Sequence, residues 1–375
     1  MVFKLAFRNL FHDRVSLIVT LVGIVFSVVL VAVQLGLYIG SSRLISAVID
    51  HTKGDIWVVP LNTKNFDDPN ALEGRERHTA LSTPGVEAAA ELVVSFGQWR
   101  KPNGGTTALL LIGSDLSQDG LAPWNIIEGK VEDLEAPDAI TLDRSYLKEF
   151  GLEKIGDSGE INGQKATLRA VTKGIRSFTT LAYVFTSLRQ ARSYVNLRRE
   201  QASFTVARLA LGADIEAVKA ELRRRLPDAE VLTREQFRER SLDYWLFETG
   251  AGAALIAGAI LGLIVGLVVV AQTLYASTKD HLNEFATLRA LGASAGYIHR
   301  VILCQALISA VVGYAIGLAL SLLIVYSAQD STLPVIFTPG LGVFLLGLTI
   351  GMCVLSAMSA IIKVTRIDPA MVFSR

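Results

Sequence analysis

Only two of the 375 residues are cysteine, Cys304 and Cys353, and each lies in a long apolar run. That excludes a disulfide framework elsewhere in the chain, and an oxidising compartment permits disulfides without requiring them. Both cysteines read as small apolar packing residues. Charge is also scarce: Asp, Glu, Lys and Arg make up 19% of the sequence, against about a quarter in soluble domains. Several chemical signatures are missing altogether. There is no G-x-x-x-x-G-K-[ST] phosphate loop, no H-E-x-x-H, no C-x-x-C and no G-x-S-x-G. The five histidines, His12, His51, His78, His281 and His299, are scattered, whereas catalysis needs acid, base or nucleophile gathered in one cleft. No catalytic residue, metal ligand or cofactor of the chain's own is therefore expected. A net charge of +1 gives no reason to expect a nucleic-acid partner.

The missing charge is concentrated in four windows. Residues 15–42, 249–278, 301–329 and 331–362 contain no Asp, Glu, Lys or Arg. Each exceeds the ~20 apolar residues that cross a ~30 Å hydrocarbon core. They predict four transmembrane helices, at about 15–40, 249–277, 298–327 and 341–363. The first has an apolar run well beyond the ~7–15 residues of a secretory signal core, so it reads as an uncleaved anchor. None of the four holds an ionisable residue in its middle, where a proton relay or ion pathway would place one. The fold class expected is an α-helical membrane domain with an α+β domain, 41–248, inserted between helices 1 and 2.

Nine basic residues lie outside that insertion: Lys4, Arg8, Arg14, Lys279, Arg289, Arg300, Lys363, Arg366 and Arg375. All flank the helices on the side shared by the N-terminus, the connection 278–297 and the tail 364–375. The connection 328–340 has none. Basic residues in short flanks set orientation, while long domains translocate regardless of charge. Both termini are therefore expected in the cytoplasm and the inserted domain outside it. Within residues 1–14, Phe3, Phe7, Leu10 and Phe11 share a helical face, the pattern of an interfacial amphipathic helix; a plain basic flank is the competing reading.

In the insertion, "GDIWVVP" reads as a strand. The stretch "EAAAELVVSFGQWRKPNGGTTALLLIGSD" reads as two strands turning at Pro102–Gly105. "ASFTVARLALGADIEAVKAELRRRLPDAEVLTRE" reads as strand, helix, strand, with Asp214 as N-cap. An inner lobe is expected from about 45–115 and 200–243, and an outer β-rich lobe from about 116–199.

Two motifs carry functional weight. In helix 2, Gly258, Gly262 and Gly266 recur every four residues and form a flat groove, which drives helix association in lipid. It reads either as a homodimer seam or as packing within one subunit against helix 3 or 4. Gly313 and Gly317 in helix 3, and Gly347 and Gly351 in helix 4, offer competing faces. In the connection between helices 2 and 3, Leu282, Phe285, Leu288 and Leu291 make one apolar stripe. Gly292 stands where a C′ glycine ends a helix, and Ser294 where the next helix needs a cap. The charged side is not Lys/Arg-rich as in surface-seeking helices, so a protein partner with an apolar cleft is expected to receive the stripe.

The run "NEFATLRALGASAGYIHRVILCQALISAVVGYAIGLAL" resembles the hallmark of the FtsX/MacB-like permeases of ABC transporters, E-[I/F]-A-x-L-R-A-[L/I]-G-A-S followed by the third membrane helix. "TRIDPAMVFSR" is similar to that family's closing segment, and "AITLDRSYLKEFGLEKIGDSGEINGQKATLRAV" to its β-rich outer subdomain. The first helix followed by "GDIWVVP" resembles most the DevC-type branch, exporters that work with a membrane-fusion adaptor. The resemblance implies a multi-pass protein of the bacterial cytoplasmic membrane. It also implies a separate ATP-binding subunit that binds ATP and Mg. By carry-over, Leu282, Glu284, Phe285, Leu288, Arg289 and Gly292 would form the contact with that subunit. Arg366, Asp368 and Pro369 would belong to the C-terminal family segment. The expected function is a homodimeric permease that contacts membrane lipids and relays ATP-driven motion to its outer domain, for export or lipid and lipoprotein handling with an adaptor. A regulator of a cell-wall hydrolase, and a membrane-anchored sensor or enzyme without an ATPase, are the alternatives.

Overall fold

A computed structural model describes residues 2–68, 70–116, 120–179, 181–281, 284–285, 287–288, 291–328 and 335–365. The helices are α1 (Val2–His12), α2 (Arg14–His51), α3 (Glu76–Leu81), α4 (Leu147–Phe150), α5 (Leu188–Tyr194), α6 (Ile215–Arg225), α7 (Arg234–Asp243), α8 (Ala251–Asp280), α9 (Ala295–Ser327) and α10 (Pro339–Thr365). The strands are β1 (Ile56–Pro60), β2 (Val86–Arg100), β3 (Thr106–Ser114), β4 (Ile126–Glu128), β5 (Ala139–Asp143), β6 (Ser158–Ile161), β7 (Gln164–Thr172), β8 (Ala182–Ser187), β9 (Phe204–Leu209) and β10 (Ala229–Thr233). The chain divides into two units. One holds Met1–Gly40 and Gly252–Arg375; the other is Ser41–Ala251.

The first unit contains four helices long and apolar enough to cross a membrane: α2, α8, α9 and α10. Asp13 separates α1 from α2 and caps the latter, its carboxylate accepting the Ser16 N–H at 3.1 Å. The four helices share a core that includes Ile24 and Val28 of α2, Val270 and Leu274 of α8, Val301 and Ala306 of α9, and Met352 and Cys353 of α10. Ala6 of α1 enters the same core.

The second unit is built on one ten-stranded sheet, ordered β10-β1-β9-β2-β3-β8-β5-β7-β4, with β6 paired to β2 and β7. Strands from 45–115 and 200–243 sit together at one end of this order and strands from 116–199 at the other. Two pairings join them: the parallel pairing of β3 with β8, Leu109 opposite Ala182, and the antiparallel pairing of β2 with β6, Trp99 opposite Ile161. The β2–β3 hairpin closes through Lys101, whose N–H reaches the Gly105 carbonyl at 3.0 Å. A second hairpin, β6–β7, turns at Asn162 and Gly163, both at positive φ (50° and 82°), as a two-residue turn of the primed type requires. Asp214 caps α6 through the N–H groups of Glu216 and Ala217. Large aromatics fill the cores. Trp57 packs on Phe237, Phe204 and Phe66 at ring-centroid distances of 5.0, 5.8 and 6.3 Å. Trp99 packs on Phe150 and donates its indole N–H to the Phe150 carbonyl at 2.8 Å.

Candidate functional site

The connection between α8 and α9 is an elbow. Helical residues include Glu284–Phe285 and Thr287–Leu288. The helix ends as the glycine predicts: Gly292 adopts φ 96°, the Ala293 N–H reaches the Leu288 carbonyl and the Leu291 N–H the Thr287 carbonyl, each at 3.0 Å. The 6→1 bond across a left-handed glycine is a Schellman closure. Ser294 then starts α9, its hydroxyl accepting the Tyr297 N–H at 3.3 Å. Two caps back to back give a sharp, defined corner in place of a slack loop.

The side chains of the elbow correct one expectation. Phe285 is 4% exposed and belongs to the core of its own unit, with Leu288 packed beside it. The stripe expected to enter a partner's cleft is covered within the chain at Phe285 and partly covered at Leu288. The physical reason is that α1, α9 and the ends of the membrane helices offer apolar surface beside it. The face left outward carries Glu284, Thr287 and Leu291, the last 80% exposed. Glu284 reaches back to His281, carboxylate oxygen to Nδ1 at 3.1 Å, and His281 is itself buried. Leu282 and Arg289 lie outside the described residues, as do Arg366, Asp368 and Pro369 of the C-terminal segment.

The glycine groove of helix 2 is also occupied, and by neither helix 3 nor helix 4 alone. A Cβ built on Gly258 would lie 2.6 Å from Gln34, one on Gly262 2.9 Å from Leu30, and one on Gly266 2.5 Å from Ser27 and 2.8 Å from Met352. Three of those four neighbours are on α2, so the expected dimer seam at Gly258, Gly262 and Gly266 is filled by helix 1 of the same chain. The Ser27 hydroxyl donates to the Gly262 carbonyl at 2.9 Å, a bond that the missing side chain of Gly262 permits. Helix α9 approaches α2 in the same way, Gly313 meeting Ile24 and Gly317 meeting Val28. By contrast, Gly347 and Gly351 of α10 have no neighbour within 4 Å among the described residues.

On α1 the aromatic stripe faces outward. Phe3, Phe7 and Phe11 are exposed, with ring centroids 6.3 Å (Phe3–Phe7) and 4.4 Å (Phe7–Phe11) apart, while Ala6, Asn9 and Leu10 are buried. Leu10, expected to share the face of the phenylalanines, turns inward instead. Lys4 and Arg8 are exposed beside the ring stripe.

Comparison with known proteins places this architecture. Residues 17–225 match the MacB-like periplasmic core domain, and residues 256–369 match the FtsX-like permease C-terminal region. The chain belongs to the FtsX/MacB-like ABC transporter permeases. It is thus a multi-pass membrane permease subunit with an extracytoplasmic core domain. No curated protein matches it. Solved structures similar to the permease include the periplasmic region of MacB from Actinobacillus actinomycetemcomitans, at 10% identity and TM-score 0.39, covering 52% of this chain and 96% of that one. The extracellular domain of the noncanonic ABC-type transporter YknZ from Gram-positive bacteria matches at 14% identity and TM-score 0.35, covering 48% and 98%. A domain of a permease protein from Porphyromonas gingivalis matches at 15% identity and TM-score 0.34, covering 48% and 90%.

The sequence reading missed two features of the permease. One is helix 1 as the element that the glycines of α8 and α9 both approach, because a groove on one helix carries no label for its occupant. The other is a cavity in the outer unit around Asp67, whose walls come from positions up to 181 residues apart. No local pattern connects them.

Proposed function

We propose that the permease is a force relay for a separate ATP-binding subunit that binds ATP and Mg. Two copies would pair, each docking one such subunit on its elbow, with both termini and the elbow in the cytoplasm. ATP-driven closure of the subunits would push the elbows, and the membrane helices would pass that movement to the outer units. The relay would serve export or lipid and lipoprotein handling with a membrane-fusion adaptor, as in the DevC-type branch.

One observation carries this reading: the elbow is anchored inward and bare outward. Phe285 and Leu288 lock it into the core that α1, α2, α8, α9 and α10 share, while Glu284, Thr287 and Leu291 are left exposed. A push on the outer face of a segment keyed into a close-packed core moves that core as a body, since packed interiors deform little. The exposed Phe3, Phe7 and Phe11 with Lys4 and Arg8 suit a helix lying among lipid headgroups, which would hold α1 in the membrane plane.

The test is cross-linking. A permease carrying Leu291→Cys, treated with a short bifunctional thiol–amine reagent, should capture the ATP-binding subunit from a reconstituted complex. A permease carrying Leu291→Asp should lose stimulation of ATP hydrolysis while still folding. Capture only from positions on the outer unit, or undiminished stimulation in the Leu291→Asp permease, would overturn the docking face.

A further inference from the structure

The outer unit contains a cavity of about 430 Å3 lined by the polar Lys64, Asn65, Asp67 and Asp68 and by the aromatic Phe96, Tyr244 and Trp245. Its volume falls within the roughly 300–1,000 Å3 of small-molecule sites. The polar wall is rigid. Phe66 is buried against Trp57 and Phe204, which pins the chain on either side of it. Asn65 then turns the backbone, its side-chain oxygen accepting the Asp67 N–H at 2.8 Å. Thr63 holds the start of the loop by donating to the Pro60 carbonyl at 2.7 Å. The aromatic wall is braced too, Trp245 meeting Phe178 edge-on with ring centroids 5.7 Å apart.

The charge in this cavity is unbalanced. Asp67 accepts one hydrogen bond from the Tyr183 hydroxyl, at 3.1 Å, and among the described residues no cationic side chain pairs with it. Burial pushes its carboxyl up to about 6, against only a partial offset from Tyr183. A carboxylate held out of water without a cation is a cost that an incoming positive charge would relieve. Phe96, in the same lining, is 52% exposed although it lies within β2, so its ring presents uncovered apolar surface. At the rim the Lys64 ammonium stands 5.5 Å above the Tyr244 ring and 3.6 Å from Glu248. The chain thus already places one ammonium between an aromatic face and a carboxylate, the arrangement that attracts such ions.

We propose that this cavity binds the ammonium group of an amphiphile, the Asp67 carboxylate taking the charge and Phe96 and Trp245 the hydrocarbon. The ammonium can come from two sources: the headgroup of an aminophospholipid, or a free cationic amphiphile outside the cytoplasm. Recognition is the same for both. The inference is independent of whether an ATP-binding subunit docks on the elbow.

The experiment uses the full chain in dodecyl maltoside micelles, with hexylammonium, hexanol and hexanoate titrated separately by calorimetry. Hexylammonium should bind at least tenfold more tightly than either of the others. Asp67→Asn should abolish that preference while leaving hexanol binding unchanged, and Asp67→Glu should keep it. Phe96→Ser, at an exposed position, should weaken hexylammonium and hexanol alike by several-fold. Thermal melts of each variant in the same micelles report folding. Adding phosphatidylethanolamine then separates the sources: competition with hexylammonium supports the lipid headgroup, and its absence supports the free amphiphile. Equal binding of hexanol and hexylammonium, or an undiminished preference in the Asp67→Asn protein, would overturn the proposal.

Discussion

The two units of the permease are held together by opposite means. In the outer unit the largest fully buried side chains are aromatic: Trp57, Trp99, Tyr194, Phe66, Phe150, Phe185, Phe204 and Phe237. In the membrane unit the buried apolar side chains are small or aliphatic, with Met352 and Cys353, and Phe285 is the one buried Phe, Tyr or Trp among the described residues. Helices there approach through absent side chains, at Gly23, Gly258, Gly262, Gly266, Gly313 and Gly317. The reason lies in the solvent. Water expels large apolar rings, at roughly 25 cal/mol per Å2, so a unit bathed in water gains by burying them. Lipid tails are as apolar as the rings, so helices there gain by close backbone contact. Phe285 stands at the end of the bundle, where an elbow beside water obeys the first rule and anchors a unit that elsewhere obeys the second.

The sharpest break in this contrast is Phe285→Asp. It removes the buried ring and puts a charge among Ala6, Leu274 and Ile298, so a loss of more than about 3 kcal/mol is expected. The measurement is the thermal stability of the purified chain in detergent, and a melt like the wild type's would show the anchor to be dispensable. Next comes Gly262→Leu, which meets Leu30 and displaces the Ser27 bond. Overpacking of this kind costs roughly 1–3 kcal/mol. The variant should lose stability as a single chain, and an effect confined to subunit association would return the groove to a dimer seam.

In the outer unit Asp67→Asn should act in the other direction. The wild-type carboxyl is held at about 6 in the fold by burial, against an ordinary 3.8. Below about pH 4 both folded and unfolded chains are protonated there, and above about 6 both are ionised. The fold therefore loses stability as pH rises between those values, by at most about 3 kcal/mol. Asparagine carries no such penalty, so hydrogen exchange of outer-unit peptides should be slower in the variant above pH 6, the difference closing by pH 4. A constant difference across that range would deny the burial its electrostatic cost. The smallest effects belong to outward positions. Gly347→Leu, with open space around it, should change the melt by less than about 0.5 kcal/mol. Phe7→Ser should leave the core intact and weaken only binding to vesicles, read by flotation of an α1 peptide. A large melt change from either would mean that the face is covered.

Much of this architecture was legible in the sequence because it rests on local rules. Charge-free windows marked the four long helices, since a charge in hydrocarbon is costly wherever it sits. Gly292 and Ser294 announced the corner of the elbow, because a left-handed residue and an N-cap are single-residue requirements. The occupants of surfaces were not legible. The stripe of Phe285 and Leu288 and the stripe of Phe3, Phe7 and Phe11 are alike in periodicity, yet one is buried and the other bare. The glycines at 258, 262 and 266 and those at 347 and 351 share a spacing, yet α2 fills only the first. Asp67 showed no signal at all, its donor Tyr183 being 116 residues away.

The sequence by itself marked four segments long and apolar enough to cross a membrane and the capped corner that joins α8 to α9, but not the end of the first helix, which was expected at about 40 and runs to His51. Those follow from hydration of charge and from backbone geometry, which act residue by residue. Tertiary structure alone decided that helix 1 fills the glycine groove, that the elbow turns its ring inward, and that Asp67 shares a cavity with Phe96, Tyr244 and Trp245 in the outer unit. Each is a meeting of distant residues, and periodicity says which face is apolar without saying what will cover it.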